Sequence, residues 1–471
     1  VSINIRFGTD GVRGIIDQDF NELTVALTVE ATLRYWASRY GVNKVLIGYD
    51  TRFKSRDYAL VAGNVARQFG LDVSITIEPT PTPVISWFLR KYKYDLAIQI
   101  TASHNPPEYN GVKIINQYGA SILDEDTKEI EKILGREFQD ILKTVSNLPL
   151  RPIDYVNPRF EYIDYIVSEV EVKFKPVRKL KVIFDPIHGS SIGYTDEILK
   201  RLGMEVTSVR NNYDVKFGGT LPDPEPENVK KMINEVVSGK YDLGISHDGD
   251  ADRLAIVDRK LGYISANTLL CIITYEFAKR GIFKKGIART VSTTHLIDDI
   301  AKDFNLKVIE TPVGIKYIAK LLINNEVDAG GEESGGIAFS WHIPEKDGIY
   351  TAALVTSITT RVELQDIVKE IESRYGARYF KRINVKITNA KELIERGKNI
   401  IVSKFRSLDK IENVNDIDGI KIIMTNSWVL LRASGTERDK LRVYVEASSK
   451  EFLEKVINYV EKIIDELRSI P

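Results

Sequence analysis

The sequence predicts an α/β protein in which a strand–helix unit is used three times and a separate α+β domain follows. Three observations predict it. Short apolar strands alternate with amphipathic helices, the pattern of α/β layers around a sheet that is at least partly parallel. Each unit ends in a strand that runs into a polar, Gly-rich loop. The last hundred or so residues change to alternating strands and one long striped helix.

In the first unit, a strand at Val45–Tyr49 leads to a helix over about 57–69, a strand at 73–77 and a helix over 83–92. The closing strand Asp95–Ile100 feeds the loop Thr101-Ala-Ser-His-Asn-Pro106. In the second, a strand at 182–184, a helix over 192–202 and a strand at 205–209 precede a helix that places Val229, Met232, Ile233, Val236 and Val237 on one face. Its closing strand Asp242–Ser246 feeds His247-Asp-Gly-Asp-Ala-Asp-Arg253. The third runs from a strand at 287–291 through a helix near 296–304, a strand at 306–309 and a helix near 315–323. Its closing strand at 327–329 feeds Gly330-Gly-Glu-Glu-Ser-Gly-Gly336. A single loop of this kind reads as a plain turn, because Gly, Ser, Asn and Asp are turn formers. Three in equivalent places point to a shared site, since ligands of such sheets bind beyond the carboxyl ends of the strands.

In the final segment, 380–387 and 441–447 alternate as half-buried strands do, and Phe452, Val456, Tyr459, Ile463 and Leu467 form one helical stripe. A fourth polar loop, Arg432-Ala-Ser-Gly-Thr436, lies between them.

Composition narrows the function. The 471 residues suffice for three or four domains, with 43% hydrophobic and 28% charged residues. Lys+Arg and Asp+Glu are both 66, and a balanced chain is a poor match for nucleic acid, which rewards a net basic face. Cys271 is the only cysteine, so neither an intrachain disulfide nor a cysteine zinc site is available. Neither a membrane-length apolar run nor a signal-like segment in Val1–Arg13 is evident, and the cytoplasm is the expected compartment.

Asp248-Gly-Asp-Ala-Asp-Arg253 is the sharpest motif. In an extended segment alternate side chains point the same way, so Asp248, Asp250 and Asp252 are expected to converge. Carboxylates alone suit magnesium or calcium. The EF-hand pattern fails, because its sixth and twelfth positions would be Arg253 and Arg259. Arg253 beside such a site fits a phosphate ligand. Ser103 is a nucleophile or phosphate carrier, or part of a plain Ser/Asn/Pro turn. His104 is next to it, and neighbours in a strand-like segment face opposite ways, which makes it a poor general base for Ser103. Neither a Gly-x-Ser-x-Gly elbow, a Walker sequence nor a Gly-x-Gly-x-x-Gly occurs. Arg432-Ala-Ser-Gly-Thr436 offers a cation, two hydroxyls and a backbone able to form an anion nest, or is an ordinary hairpin loop. Glu332 and Ser334 are suitable partners for sugar hydroxyls.

Taken together and in this order, Thr-Ala-Ser-His-Asn-Pro, Asp-Gly-Asp-Ala-Asp-Arg, Gly-Glu-x-Ser-Gly and Arg-x-Ser-Gly-Thr-Glu resemble the α-D-phosphohexomutase family, which includes phosphomannomutase/phosphoglucomutase and phosphoglucosamine mutase. The resemblance implies three α/β domains with mixed, mainly parallel sheets and a C-terminal α+β domain around a central cleft. The expected boundaries are 1–149, 150–258, 259–375 and 376–471. It implies that Ser103 is a phosphoserine, with His104 beside it in the catalytic loop. Asp248, Asp250 and Asp252 would hold Mg²⁺ together with a phosphoserine oxygen. Lys113 matches the family's general base, and Arg13 and Arg253 would lie beside the transferring phosphate. Glu332, Ser334 and Lys316 would contact the sugar phosphate, and Arg432, Ser434, Gly435 and Thr436 the phosphate that is not reacting. The implied partners are hexose phosphates and hexose 1,6-bisphosphate, on a monomer or homodimer, with neither nucleic acid nor membrane. A mobile last domain, hinged near residue 375, would let the bisphosphate turn around.

Two departures bear on the sugar. Members of the family often have His after Gly-Glu-x-Ser-Gly, and this chain has Gly336. The family's phosphate loop often carries two prolines where Ala433 and Arg438 stand. Mannose or glucose phosphates are the expected substrates, and glucosamine phosphate is the alternative. A metal-dependent phosphatase and a non-catalytic sugar-phosphate binding protein are the rival readings.

Overall fold

The computed structural model describes residues 5, 7–8, 11–134, 152–434 and 440–468. They form four sheets. The first runs in the order β1 (Gly11–Ile15), β5 (Tyr109–Asn116), β4 (Leu96–Ile100), β2 (Lys44–Tyr49), β3 (Asp72–Thr76) and β6 (Ile153–Val156). The second is β11 (Gly262–Ile264), β10 (Leu254–Asp258), β9 (Leu243–His247), β7 (Lys181–Asp185) and β8 (Glu205–Ser208). The third is β13 (Lys307–Thr311), β12 (Gly286–Thr290), β14 (Ala329–Gly331) and β15 (Ile337–Phe339). The fourth, all antiparallel, is β16 (Tyr379–Lys386), β20 (Lys440–Ala447), β19 (Ser427–Ala433), β18 (Ile420–Met424) and β17 (Ile411–Asn415).

The threefold repeat is present strand for strand. In each of the first three sheets the central strand pairs in parallel with two others: β2 with β3 and β4, β7 with β8 and β9, β12 with β13 and β14. A return strand then runs antiparallel to the third: β5, β10 and β15. The sequence reading lacked these return strands, because residues such as Val112 and Lys113 read as a continuation of the polar loop. Strand β6 lies beyond residue 149 yet pairs with β3 in the first sheet, and β11 lies beyond 258 yet pairs with β10 in the second. The helix expected from 192 starts only at Thr195, after Gly193 takes the left-handed region at φ 76°.

One continuous apolar cluster runs from Trp87 and Tyr162 through Phe184 and Tyr194 to Phe277 and Tyr350, joining the first three units. The helix Gly348–Thr359 is buried along its whole length, as an all-round apolar helix must be. Cys271 is packed in the buried helix Ala266–Lys279. The fourth sheet has its own core with Ile401, Phe405, Val443, Val456 and Ile463. Phe452, Val456, Tyr459 and Ile463 of the predicted stripe face it; the side chain of Leu467 lies outside the described residues. The helix Leu364–Tyr375 stops at Gly376, at φ 79°, and β16 follows within three residues.

Polar groups join this last domain to the third unit. Glu310 accepts from Arg289 and Asn415, and from Lys421 Nζ at 2.7 Å; His295 Nε2 is 3.8 Å away. Burial pushes the Glu310 carboxyl up, but His295 and the Arg289 and Lys421 cations outweigh it and hold it well below the usual carboxylate range. Removing one partner of a buried ion pair strands the other. Glu310→Gln is expected to cost about 3 kcal/mol at pH 7, read by denaturant unfolding. Because the folded-state pKa is depressed, this stabilisation is fully present above the unfolded value near 4.5 and is lost as pH falls below it. The difference between variant and wild type is therefore expected to shrink below about pH 4, and a pH-independent difference would refute the assignment.

Candidate active site

The polar loops leave the carboxyl ends of β4, β9 and β14, the strands that hold the same place in each repeated sheet. Ser103 follows β4 with φ 51°, a left-handed conformation that side-chain-bearing residues rarely take. Its Oγ donates to Asp248 Oδ2 at 2.7 Å, across 145 positions of sequence. His104 Nδ1 lies 3.3 Å from the same Oγ. The strand-like geometry expected to part these two side chains does not hold here, because the left-handed turn brings them together. Burial, then the Arg253 and Arg13 cations, push the His104 pKa well below 6.5, so the ring is neutral at pH 7.

The side chains of Asp248, Asp250 and Asp252 are buried and offer oxygens within 4.8 Å of one another. They converge through a turn with Ala251 at φ 60°, and not through the extended alternation expected from the sequence. Burial and then the neighbouring Asp250 and Asp252 push the Asp248 carboxyl well above its usual range. Burial also pushes Asp252 up, but Lys346, Lys113 and Arg253 outweigh it and hold that carboxyl well below the usual range. Asp250 Oδ2 accepts from Thr82 Oγ1 at 2.6 Å. The Oδ1 atoms of Asp250 and Asp252 are buried without a hydrogen-bond partner. Buried oxygens left over in an all-carboxylate cluster suit a hard divalent cation.

Lys113, on β5, donates to Asp252 Oδ2 at 3.1 Å, and Lys346 reaches the same oxygen at 3.2 Å. Lys346 Nζ also stands 3.7 Å from Glu332. A Cβ added at Gly336 would lie 1.9 Å from Lys346 Cδ, so glycine there makes room for the lysine stem. Arg13, on β1, donates to Asn105 Oδ1 at 2.6 Å, two residues beyond Ser103. Arg253 places its N–H on Asp248 Oδ1 at 3.1 Å and its guanidinium 3.6 Å from Asp223. Ser334 sits half-buried in the turn beside Glu332.

A second group gathers at the fourth domain. Arg432, on β19, donates through Nε to Asp418 Oδ2 at 3.1 Å, and the Val313 N–H reaches the same oxygen at 3.0 Å. Arg442 lies directly opposite Arg432 in the ladder. The Ser434 N–H donates to Lys440 O at 2.8 Å. Gly435 and Thr436 lie outside the described residues. Lys316 lies three residues after Val313, in the first turn of the helix Ile315–Ile323, and it and Tyr317 both donate to Asp124 of the first unit. Arg382 links this domain to the other loops through Glu333 at 3.3 Å and Glu225 at 3.2 Å.

Sequence reasoning missed Thr82, Lys346 and Arg442. Thr82 opens a helix and reads as a cap. Lys346 did carry a signal, as a charged run, Glu345-Lys-Asp347, immediately before an apolar helix.

Four matches to known families cover most of the chain. Residues 4–140, 160–262 and 265–375 match the phosphoglucomutase/phosphomannomutase alpha/beta/alpha domains I, II and III, and residues 361–463 match its C-terminal domain. A phosphoglucomutase/phosphomannomutase of Thermococcus kodakarensis is 31% identical over 98% of both chains. A phosphoglucosamine mutase of Methanocaldococcus jannaschii is 32% identical over 98% of this chain and 99% of its own. Two solved structures share the fold. A Burkholderia thailandensis phosphoglucomutase/phosphomannomutase family protein is 23% identical, covering 99% of this chain and 98% of its own, with a TM-score of 0.82. Aspergillus fumigatus N-acetylphosphoglucosamine mutase, in complex with GlcNAc-6P and magnesium, is 14% identical, covering 98% and 96%, with a TM-score of 0.62. With four domains matched in order and relatives aligned end to end, the chain belongs to the phosphoglucomutase/phosphomannomutase family and is a phosphohexomutase, an isomerase.

Proposed function

We propose that the chain interconverts hexose 6-phosphate and hexose 1-phosphate of the mannose and glucose series, through phosphoserine 103 and a hexose 1,6-bisphosphate. The observation that carries this reading is the 2.7 Å contact between Ser103 Oγ and the buried aspartate cluster. A serine there has little value to a passive binding protein, but it is where a phosphoryl group on Oγ would meet the cation ligands.

The P–O bond between phosphorus and Ser103 Oγ breaks as a sugar hydroxyl oxygen bonds to phosphorus; Lys113 Nζ, in its neutral form, takes the hydroxyl proton, and a proton returns to the freed Oγ so that Ser103 leaves as a hydroxyl. Asp248, Asp250 and Asp252 would hold Mg²⁺, which would supply charge neutralisation at the transferring group. Arg13 and Arg253 place cations beside that group, and His104, neutral, adjoins the serine oxygen. Glu332, Ser334 and Lys346 face the sugar. Arg432 and Arg442 lie opposite each other across a strand pair, and two guanidinium groups side by side suit a phosphate. This supports reading them, with Lys316, Ser434, Gly435 and Thr436, as the grip on the second phosphate. The bisphosphate then turns, and its other phosphoryl group returns to Ser103. Gly376, at φ 79°, is the pivot we assign to the last domain.

Glucosamine phosphate is the second reading, favoured by the name of the Methanocaldococcus relative. Absence of a described helix long and apolar enough to cross a membrane, together with the lone cysteine, supports a cytoplasmic enzyme.

Intact-protein mass spectrometry is expected to find one phosphoryl group, mapping to Ser103, after incubation with hexose 1,6-bisphosphate, and Ser103→Ala is expected to lose it along with turnover. An active, unphosphorylated Ser103→Ala enzyme would sink the phosphoserine. Asp250→Asn should keep the fold, because the amide oxygen can still accept from Thr82 and one like charge is removed. Its magnesium-dependent turnover is expected to fall by about 100-fold or more, and wild-type turnover would refute the metal site. Supplying mannose, glucose and glucosamine 6-phosphates in turn and following 1-phosphate formation decides the sugar. A kcat/KM highest for glucosamine would replace the first reading with the second.

A further inference from the structure

The loop Gly48-Tyr-Asp-Thr-Arg52 at the end of β2 belongs to none of the polar motifs, yet it holds a fully buried ion pair, Asp50 and Arg52. An arginine has five N–H donors, and each of these has a partner. Nε donates to Asp50 Oδ2 at 3.2 Å. Nη1 donates to the carbonyls of Pro106 at 2.7 Å and Tyr109 at 3.0 Å. Nη2 donates to the carbonyls of Ser103 at 2.6 Å and Asn105 at 2.7 Å. Four of the five partners are thus backbone oxygens of the serine loop, gathered from seven consecutive residues. Phe217 of the second unit stands against the guanidinium, its ring centre 5.0 Å from Cζ.

The same pair reaches the other backbone group of Ser103. Asp50 accepts from Thr101 Oγ1 at 2.7 Å, and Thr101 Oγ1 accepts the Ser103 N–H at 2.9 Å. Ser55 and the Arg52 N–H fix Asp50 in turn, at 2.8 and 3.0 Å. Both polar backbone atoms of Ser103 are therefore tied to one buried ion pair, at a residue whose φ of 51° is unfavourable for a side-chain-bearing amino acid. The carbonyl held by Arg52 passes so close to the aspartate loop that a Cβ on Gly249 would fall 2.6 Å from it. Any drift of this carbonyl moves Oγ off Asp248.

We infer that Arg52 is a positioning residue for phosphoryl transfer, locking Ser103 in its left-handed turn so that Oγ points at the aspartate cluster. The inference rests on the phosphoserine reading above. It assigns Arg52 no contact with substrate, and it predicts loss of rate without loss of sugar binding.

Arg52→Lys keeps the charge beside Asp50, but an ammonium on a flexible stem cannot span four carbonyls. Its kcat is expected to fall by about 30-fold to 100-fold with KM for hexose phosphate within about twofold, the pattern of a misplaced reacting group. The phosphorus-31 resonance of phosphoserine 103 is expected to shift or broaden in the variant, while the circular dichroism spectrum is unchanged. Thr101→Val cuts the second tether without touching a charge, and should lower kcat by about 10-fold, again with KM kept. It decides the matter if Arg52→Lys does not fold. Variants with wild-type kcat and an unmoved phosphorus signal overturn the inference. A wild-type enzyme that carries phosphate elsewhere than Ser103 overturns the phosphoserine reading instead, and the two failures are told apart by the wild-type spectrum alone.

Discussion

Three aspartates whose buried oxygens lie within 4.8 Å of one another are the constraint to which the rest of the molecule answers. Like charges this close and this dry cannot all ionise without compensation. The chain supplies it from three directions: Lys113 from the first unit, Arg253 from the same loop and Lys346 from the third unit. Balance is local, since Asp252 is drawn down by these cations while Asp248 is driven up. The two unpartnered Oδ1 atoms mark where further positive charge fits. The compensating lysines are therefore part of the site and not incidental neighbours.

Such a cluster can be built from distant segments because the fold repeats itself. Each unit presents a loop at the end of the strand lying between the parallel set and the antiparallel return strand. Packing the units around one continuous apolar core turns these equivalent ends toward one another. Ser103, the aspartates and Glu332 then come from the first, second and third copies of a single position. Chemical difference between the copies, a hydroxyl in one and carboxylates in the others, lets repetition produce a site with distinct roles.

Much of this was legible in the sequence, and the gaps have physical causes. Strand–helix alternation exposed the three units, and three Asp residues at alternate positions exposed the carboxylate cluster. The reason offered for their convergence was wrong in detail, because Ala251 takes a left-handed turn that an extended segment does not have. The same kind of turn at Ser103 overturned the expectation for His104. Left-handed non-glycine residues leave no compositional trace, so they are invisible to periodicity. Lys346 and Arg52 were missed for another reason. Their importance depends on burial, and a lysine or arginine in a short charged run reads as solvent-exposed until the elements around it are placed. Departure from the family pattern at Gly336 was visible, but its meaning needed the Lys346 stem that fills the space.

The first three units and the last domain are held by different physics, and the reaction proposed above requires that difference. The proposed transfer from Ser103 needs atoms fixed to a fraction of an ångström, which the shared apolar core and the buried Asp50–Arg52 pair would provide. Turning the proposed bisphosphate end for end would need a wall that can move. The fourth domain carries its own core and meets the others chiefly through polar contacts: Arg382 with Glu333 and Glu225, Asp418 with the Val313 N–H, Glu310 with Lys421. A small apolar patch, Val291 with Trp428, Leu430 and Tyr444, accompanies them. Polar links at a domain edge can be exchanged for water at modest net cost, whereas opening an apolar core exposes its whole area. Asp418 belongs to this polar set and also holds Arg432, so a shift of the domain would carry with it the arginine proposed to grip the second phosphate. In the proposed mechanism, placing the rigid half of the chemistry on the repeats and the adjustable half beyond Gly376 would allow one serine to serve both ends of the same sugar.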